Sequence, residues 1–136
     1  MRDGETRKIE TEEGGGSDLF VDYMNTWKVA VVILSGGADG SEFLLEERQV
    51  SVGRGAESAI AIDDSSMSKE HAIFEFSDNG FRIRDLGSMN GTLLNGSEIR
   101  VAELKHGDRI QMGEHTFQLV LERRQQRPRT YLLPDA

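Results

Sequence analysis

Cysteine is absent from the chain. That removes disulfides, thiolate metal sites and a thiol nucleophile together. Proline occurs twice, tryptophan once, and aromatic residues make up 7% of 136 positions. No apolar run approaches the roughly 20 residues of a membrane-spanning helix. The N-terminus also lacks the apolar stretch of a secretory signal, so no membrane association is expected and a cytoplasmic location is. The three histidines, His71, His106 and His115, contain no short ligand pair, which leaves no candidate metal site. Gly36-Gly37 and Gly53-x-Gly55 lack a following Lys-Ser/Thr, so no nucleotide loop is present. No pair of acids stands out as an acid/base couple. No cofactor is expected.

Positive charge is scarce in the body of the chain. Formal net charge is −8: residues 1–27 hold seven acids and three bases, residues 28–122 sixteen and nine, residues 123–136 one and four. An acidic body argues against nucleic acid, which requires a basic face. The basic tail at residues 123–136 reads as a solvated segment.

What is present suffices for one domain with tails. Residues 1–18 are polar and charged and read as a disordered acidic tail. In residues 19–27, Phe20, Tyr23, Met24 and Trp27 fall at i, i+3, i+4, i+7 spacing, a short helix or linker whose apolar stripe packs onto the domain. The domain itself spans residues 28–122. Val29 to Leu34 is a β-branched run. Short strands follow at 43–45, 50–53 and 60–62. Residues 71–76 and 81–86 are joined through Ser77-Asp78-Asn79-Gly80, a hairpin signal. Phe81, Ile83 and Asp85 share one face of the second arm. Further strands are read at 92–94, 98–100, 109–113 and 116–121. Some ten short strands, turn signals every eight to twelve residues and no βαβ rhythm indicate an all-β sandwich or barrel.

Three loops carry polar groups of one chemical kind. Gly53-Arg54 opens the first, Ser68-Lys69-Glu70-His71 closes the second, and Ser88-Met89-Asn90-Gly91 lies in the third. A guanidinium can grip two phosphate oxygens at once. Hydroxyls complete an oxyanion shell, and a carboxamide can hold the main chain beside it. Ser68, His71 and Asp85 could be read as a hydrolase triad, but no Gly-x-Ser-x-Gly elbow is present. Ser68 and His71 also stand too close in sequence to set a nucleophile against its base.

Gly53-Arg54, Ser68-x-x-His71 and Asp85-Leu86-Gly87-Ser88-Met89-Asn90-Gly91-Thr92-x-x-Asn95-Gly96, in this order and spacing, resemble the forkhead-associated (FHA) domain over roughly residues 28–122. The resemblance implies a β-sandwich of about 10–11 strands that binds phosphothreonine peptides through loops at one end and is not an enzyme. By resemblance, Arg54, Ser68, Lys69, Ser88 and Asn90 are the phosphothreonine-binding residues. Gly53, His71, Gly91 and Asn95 support the loops, with Asp85 and Thr92. Many family members carry arginine where Ser66 stands, and threonine where Met89 stands. The implied partners are phosphothreonine proteins made by a Ser/Thr kinase, met by a monomer. The alternative function is a scaffold that does not depend on phosphate.

The N-terminal tail holds two candidate phosphorylation sites, Thr11 before Glu12-Glu13 and Thr6 before Arg7-Lys8. Some bacterial FHA proteins use such a tail as a tethered ligand for their own phosphate site. The resemblance therefore implies autoregulation, with Thr11 preferred.

Overall fold

The computed structural model describes residues 19–125. Thr6, Thr11, the rest of the acidic tail and most of the basic tail lie outside the described residues. A helix, α1 (Leu19–Thr26), precedes eleven strands. They are β1 (Trp27–Ser35), β2 (Glu42–Leu44), β3 (Gln49–Gly53), β4 (Ile60–Ala61), β5 (Ala72–Ser77), β6 (Gly80–Asp85), β7 (Thr92–Leu94), β8 (Ser97–Ile99), β9 (Val101–Glu103), β10 (Arg109–Met112) and β11 (His115–Arg123). They form two sheets, of order β9-β6-β5-β3-β4 and β2-β1-β11-β10-β7-β8. No described helix is long and apolar enough to cross a membrane.

Alternation builds the core. Val29, Val31 and Ile33 of β1, Phe74 of β5, Phe81 and Ile83 of β6, Ile110 and Met112 of β10, and Phe117 and Leu119 of β11 are all buried. Each such aliphatic or aromatic side chain contributes on the order of 1.5–3 kcal/mol by leaving water. Asp85 ends the inward row of β6, at the point where core gives way to loops.

Register decides which loops meet. Val52 pairs with Ala72, and Ala72 with Asp85. The chain leaving β3, entering β5 and leaving β6 therefore shares one end of its sheet. In the second sheet Met112 pairs with both Thr92 and His115, so the β10–β11 turn stands beside the entry to β7.

The opposite end carries α1. Phe20 and Tyr23 pack against Phe76 and Phe81 with ring centroids 5.2–6.5 Å apart. The apolar stripe read from the sequence thus covers the far tip of the β5–β6 hairpin. In that hairpin the positive φ falls on Gly80, at 155°, and an added Cβ there would lie 3.3 Å from the Tyr23 hydroxyl.

Eleven strands fall within the ten to eleven expected, with one more than the ten runs read from the sequence. The extra one is β9. The run after Asn95-Gly96 splits at Arg100: β8 pairs with β7, whereas β9 pairs with β6 of the other sheet.

Candidate functional site

The end of β3 puts Arg54 at the loop surface. Its backbone N–H donates to the Ser68 carbonyl (2.9 Å), and the next N–H, of Gly55, donates to the Lys69 carbonyl (3.1 Å). Two loops are thereby laced together. Gly53 makes the approach feasible, because a Cβ there would strike the Lys69 carbonyl oxygen. The Arg54 side chain donates from Nε to the Met67 carbonyl (3.2 Å), and its two terminal nitrogens have no partner among the described residues. Arg54 and Lys69 are exposed, and neither forms an ion pair with any described residue.

Ser68 stands across from them. Its Oγ accepts the Met89 N–H at 2.8 Å, so its own proton remains available to an anion. The Asn90 carboxamide donates from Nδ2 to the Ser66 carbonyl (2.9 Å), leaving Oδ1 as a free acceptor for a peptide N–H. Arg54, Ser68, Lys69, Met89 and Asn90 line a recess of about 150 Å³. Met89 is 88% exposed at its rim.

His71 is wholly buried and joins the two facing loops. Its Nδ1 accepts the Ser68 N–H (3.1 Å), and its Nε2 faces the Gly91 carbonyl (2.9 Å). The first bond makes Nδ1 the acceptor, so Nε2 carries the proton and donates. The imidazole therefore meets the Ser68 backbone, not its hydroxyl, and Ser68 and His71 form no nucleophile–base pair.

Ser88, expected beside Ser68 at the phosphate, is turned towards its own loop. Its hydroxyl donates to Asp85 Oδ1 (2.6 Å) and accepts the Gly91 N–H (2.9 Å). It faces inward and lines no part of the recess. Asp85 gathers this loop: Oδ1 also accepts from Thr92 Oγ1 (2.7 Å), and Oδ2 accepts the N–H groups of Gly87 (2.9 Å) and Ser88 (3.0 Å). Burial opposes the charge on Asp85, but the bonds from Ser88, Thr92 and Gly87 together outweigh it and hold the carboxyl below its usual range. Gly91 turns with φ of 82°, and Asn95 with φ of 50°. Asn95 donates to Asp108 Oδ1 (3.0 Å) and accepts the Arg109 N–H (2.9 Å), tying β7–β8 to β10.

Sequence reading missed the support behind residues 64–68. Asp64 accepts the Ser66 N–H (2.7 Å) and bonds the buried His115 through Nε2 (3.0 Å). Ser66 Oγ accepts the Glu114 N–H (3.0 Å). Gly113 sits so close to Ser66 that a Cβ would lie 2.5 Å from its Oγ. Ser66 is consequently tied into the protein: its N–H, its carbonyl and its hydroxyl oxygen all have protein partners. Bonds from Ser66 and His115 lower the pKa of Asp64. Only the Asp-Ser-Ser order hinted at a turn here, and nothing local links it to a residue 51 positions away.

Among the described residues no group of histidines and acids could hold a metal.

The FHA domain family model matches residues 50–113. The glycogen accumulation regulator GarA of Mycobacterium tuberculosis is 40% identical over 90 residues, covering 66% of this chain and 54% of that protein. The chain thus spans about half the length of that relative. The oxoglutarate dehydrogenase inhibitor of Corynebacterium jeikeium is 37% identical over 114 residues, 82% of this chain and 78% of that one. Among solved structures, Mycobacterium tuberculosis EmbR in complex with a low-affinity phosphopeptide superposes with a TM-score of 0.63 at 26% identity, over 68% of this chain and 24% of that one.

Proposed function

The chain belongs to the FHA domain family, and on that premise we propose that its loop end captures phosphothreonine peptides made by a Ser/Thr kinase and acts by binding, without catalysis. The family and the regulator and inhibitor names of its relatives point the same way, to an interaction protein. One observation carries the site assignment. The two cations at the recess, Arg54 and Lys69, have no carboxylate partner among the described residues, although the body is acidic. A phosphate of about −2 charge supplies that partner. The terminal nitrogens of Arg54, the hydroxyl proton of Ser68 and the ammonium of Lys69 hold its oxygens. Asn90 Oδ1 takes an N–H of the adjoining peptide, and Ser88 acts from behind by shaping the loop. A peptide held this way binds near micromolar, about −8 kcal/mol.

The whole protein's target is inferred from its relatives. By likeness to the oxoglutarate dehydrogenase inhibitor, the module regulates a metabolic enzyme in the cytoplasm by occupying it. A phosphorylated N-terminal tail competes for the same recess. Phe20 touches Phe76, four residues along β5 from Ala72 and so about 14 Å from the loop end. The eight residue steps from Thr11 to Leu19 span about 27 Å when extended, so both Thr11 and Thr6 reach. Tethering at roughly millimolar effective concentration would close a micromolar site almost fully.

An array of phosphothreonine peptides beside their unphosphorylated twins tests the reading. Capture of the phosphorylated members alone supports it. Equal capture of both forms replaces it with a phosphate-independent scaffold.

A further inference from the structure

A second recess, of about 420 Å³, adjoins the first and is lined by Val52, Ala56, Glu57, Lys69, Glu70 and Leu86 among others. Lys69 is the one residue that lines both. Gly55 lets its stem pass between them: a Cβ at Gly55 would lie 3.1 Å from Lys69 Cγ. Leu86, 37% exposed, gives this recess an uncovered apolar patch. Glu57 and Glu70 are exposed and carry no ion pair or hydrogen bond with any described residue. The two recesses therefore present opposite chemistry, an anion site and a half-apolar, carboxylate-edged cleft, with one lysine as their common wall.

We propose that the second recess is a specificity subsite for a lysine or arginine side chain close to the phosphothreonine on the bound peptide. The proposal rests on the phosphothreonine reading of the first recess. A long cationic side chain suits this half-apolar, carboxylate-edged lining. Its methylene stem lies along Leu86 and Ala56, and its head reaches Glu57 and Glu70, the division such side chains make between apolar surface and water. Lys69 does not repel it, because the phosphate neutralises the ammonium in the neighbouring recess. Acidic neighbours of the phosphothreonine are disfavoured by the same two glutamates. Applied to this chain's own tail, the rule reverses the order read from the sequence. Thr6, followed by Arg7 and Lys8, fits the pair of recesses, and Thr11, followed by Glu12 and Glu13, does not.

Calorimetric titration of the full chain with three kinds of phosphothreonine peptide tests this: a pair carrying Arg-Lys before or after the phosphothreonine, a pair carrying Glu-Glu there, and one flanked by alanines. Exposed charge pairs change affinity by up to about fivefold each, so the better basic-flanked peptide should bind about tenfold tighter than its acidic counterpart at low salt. In a Glu57→Gln/Glu70→Gln variant that ratio should fall below about threefold. Removing two distant charges, Glu103→Gln/Glu122→Gln, should leave it standing. A ratio near one in the wild type, or an equal fall in both variants, overturns the subsite and assigns any preference to the overall acidic field. Binding of the alanine-flanked phosphopeptide without a basic preference sinks the subsite alone. Absence of phosphate-dependent binding by all three kinds of peptide sinks the phosphothreonine reading and the subsite with it.

Discussion

Ser68 and Ser88 look alike in the sequence, each a serine in a loop at the end of a strand, yet they make different bonds. The hydroxyl of Ser68 accepts a backbone N–H and keeps its proton, whereas Ser88 spends both its proton and a lone pair within the loop. Ser68→Ala should weaken phosphopeptide binding about fivefold or more, with a small loss of stability. Ser88→Ala should do the reverse. It leaves Asp85 and the Gly91 N–H each one partner short, about 1–3 kcal/mol, and lowers the melting temperature while affinity of the folded protein stays within about twofold. Thermal melts paired with calorimetry separate the two, and a Ser88→Ala protein that melts normally but binds poorly would return Ser88 to the phosphate. His71→Ala strands the Ser68 N–H and the Gly91 carbonyl and opens a cavity, about 2–4 kcal/mol together, to be read as an earlier unfolding midpoint in urea. The place of His71 between two loops was legible, because its two bonds fall on Ser68 and Gly91, residues of motifs already recognised. The inward turn of Ser88 was not, because a hydroxyl in a tight turn reads the same whether it faces a ligand or its own backbone.

At the scale of elements, periodicity was a good guide wherever one face is buried. The inward rows of β1, β5, β6 and β11 are legible as strands because a one-residue slip would expose their apolar set. It failed where a strand changes sheets: nothing in Ser97 to Glu103 marks Arg100 as the crossing, since both halves are short and half exposed. For α1 the stripe was legible and its landing site was not. Phe20 meets Phe76 and Phe81 edge-on, and Tyr23 meets Phe81 edge-on and Phe76 at a tilt, each ring contact adding about 0.5–1.5 kcal/mol beyond burial. Phe20→Ala and Tyr23→Ala should each lower stability by about 1–3 kcal/mol, measured by urea unfolding. They should leave phosphopeptide affinity alone, because α1 sits at the far end from the loops. Unchanged midpoints would mean the helix does not dock.

For the molecule as a whole, charge ties stability to pH. Glu75 lies buried between Arg82 and Arg84, at 2.7 Å and 2.8 Å. The bond from Arg84 foremost, aided by Arg82 and opposed by burial, pulls its pKa from 4.5 to about 2. The pKa of Asp85 is lowered too, as is that of Asp64. A carboxylate whose pKa is lower in the folded state stabilises the fold above its unfolded value and loses that contribution as pH falls through the folded one. Stability should accordingly be flat from neutral pH to about 4.5 and fall steadily towards pH 2. Urea midpoints across that range check it, and Glu75→Gln should flatten the slope at the acid end. Above that window the loop end stays formed, and there the central claim can be tested. One phosphothreonine peptide is titrated calorimetrically into wild type and into Arg54→Ala, with the unphosphorylated peptide alongside. Wild type should bind the phosphopeptide near micromolar and the twin undetectably. Arg54→Ala should lose roughly thirtyfold or more, the 2–5 kcal/mol of removing one partner from a held charge pair, while melting like wild type. Equal affinity of Arg54→Ala and wild type, or equal binding of the two peptides, would contradict the account.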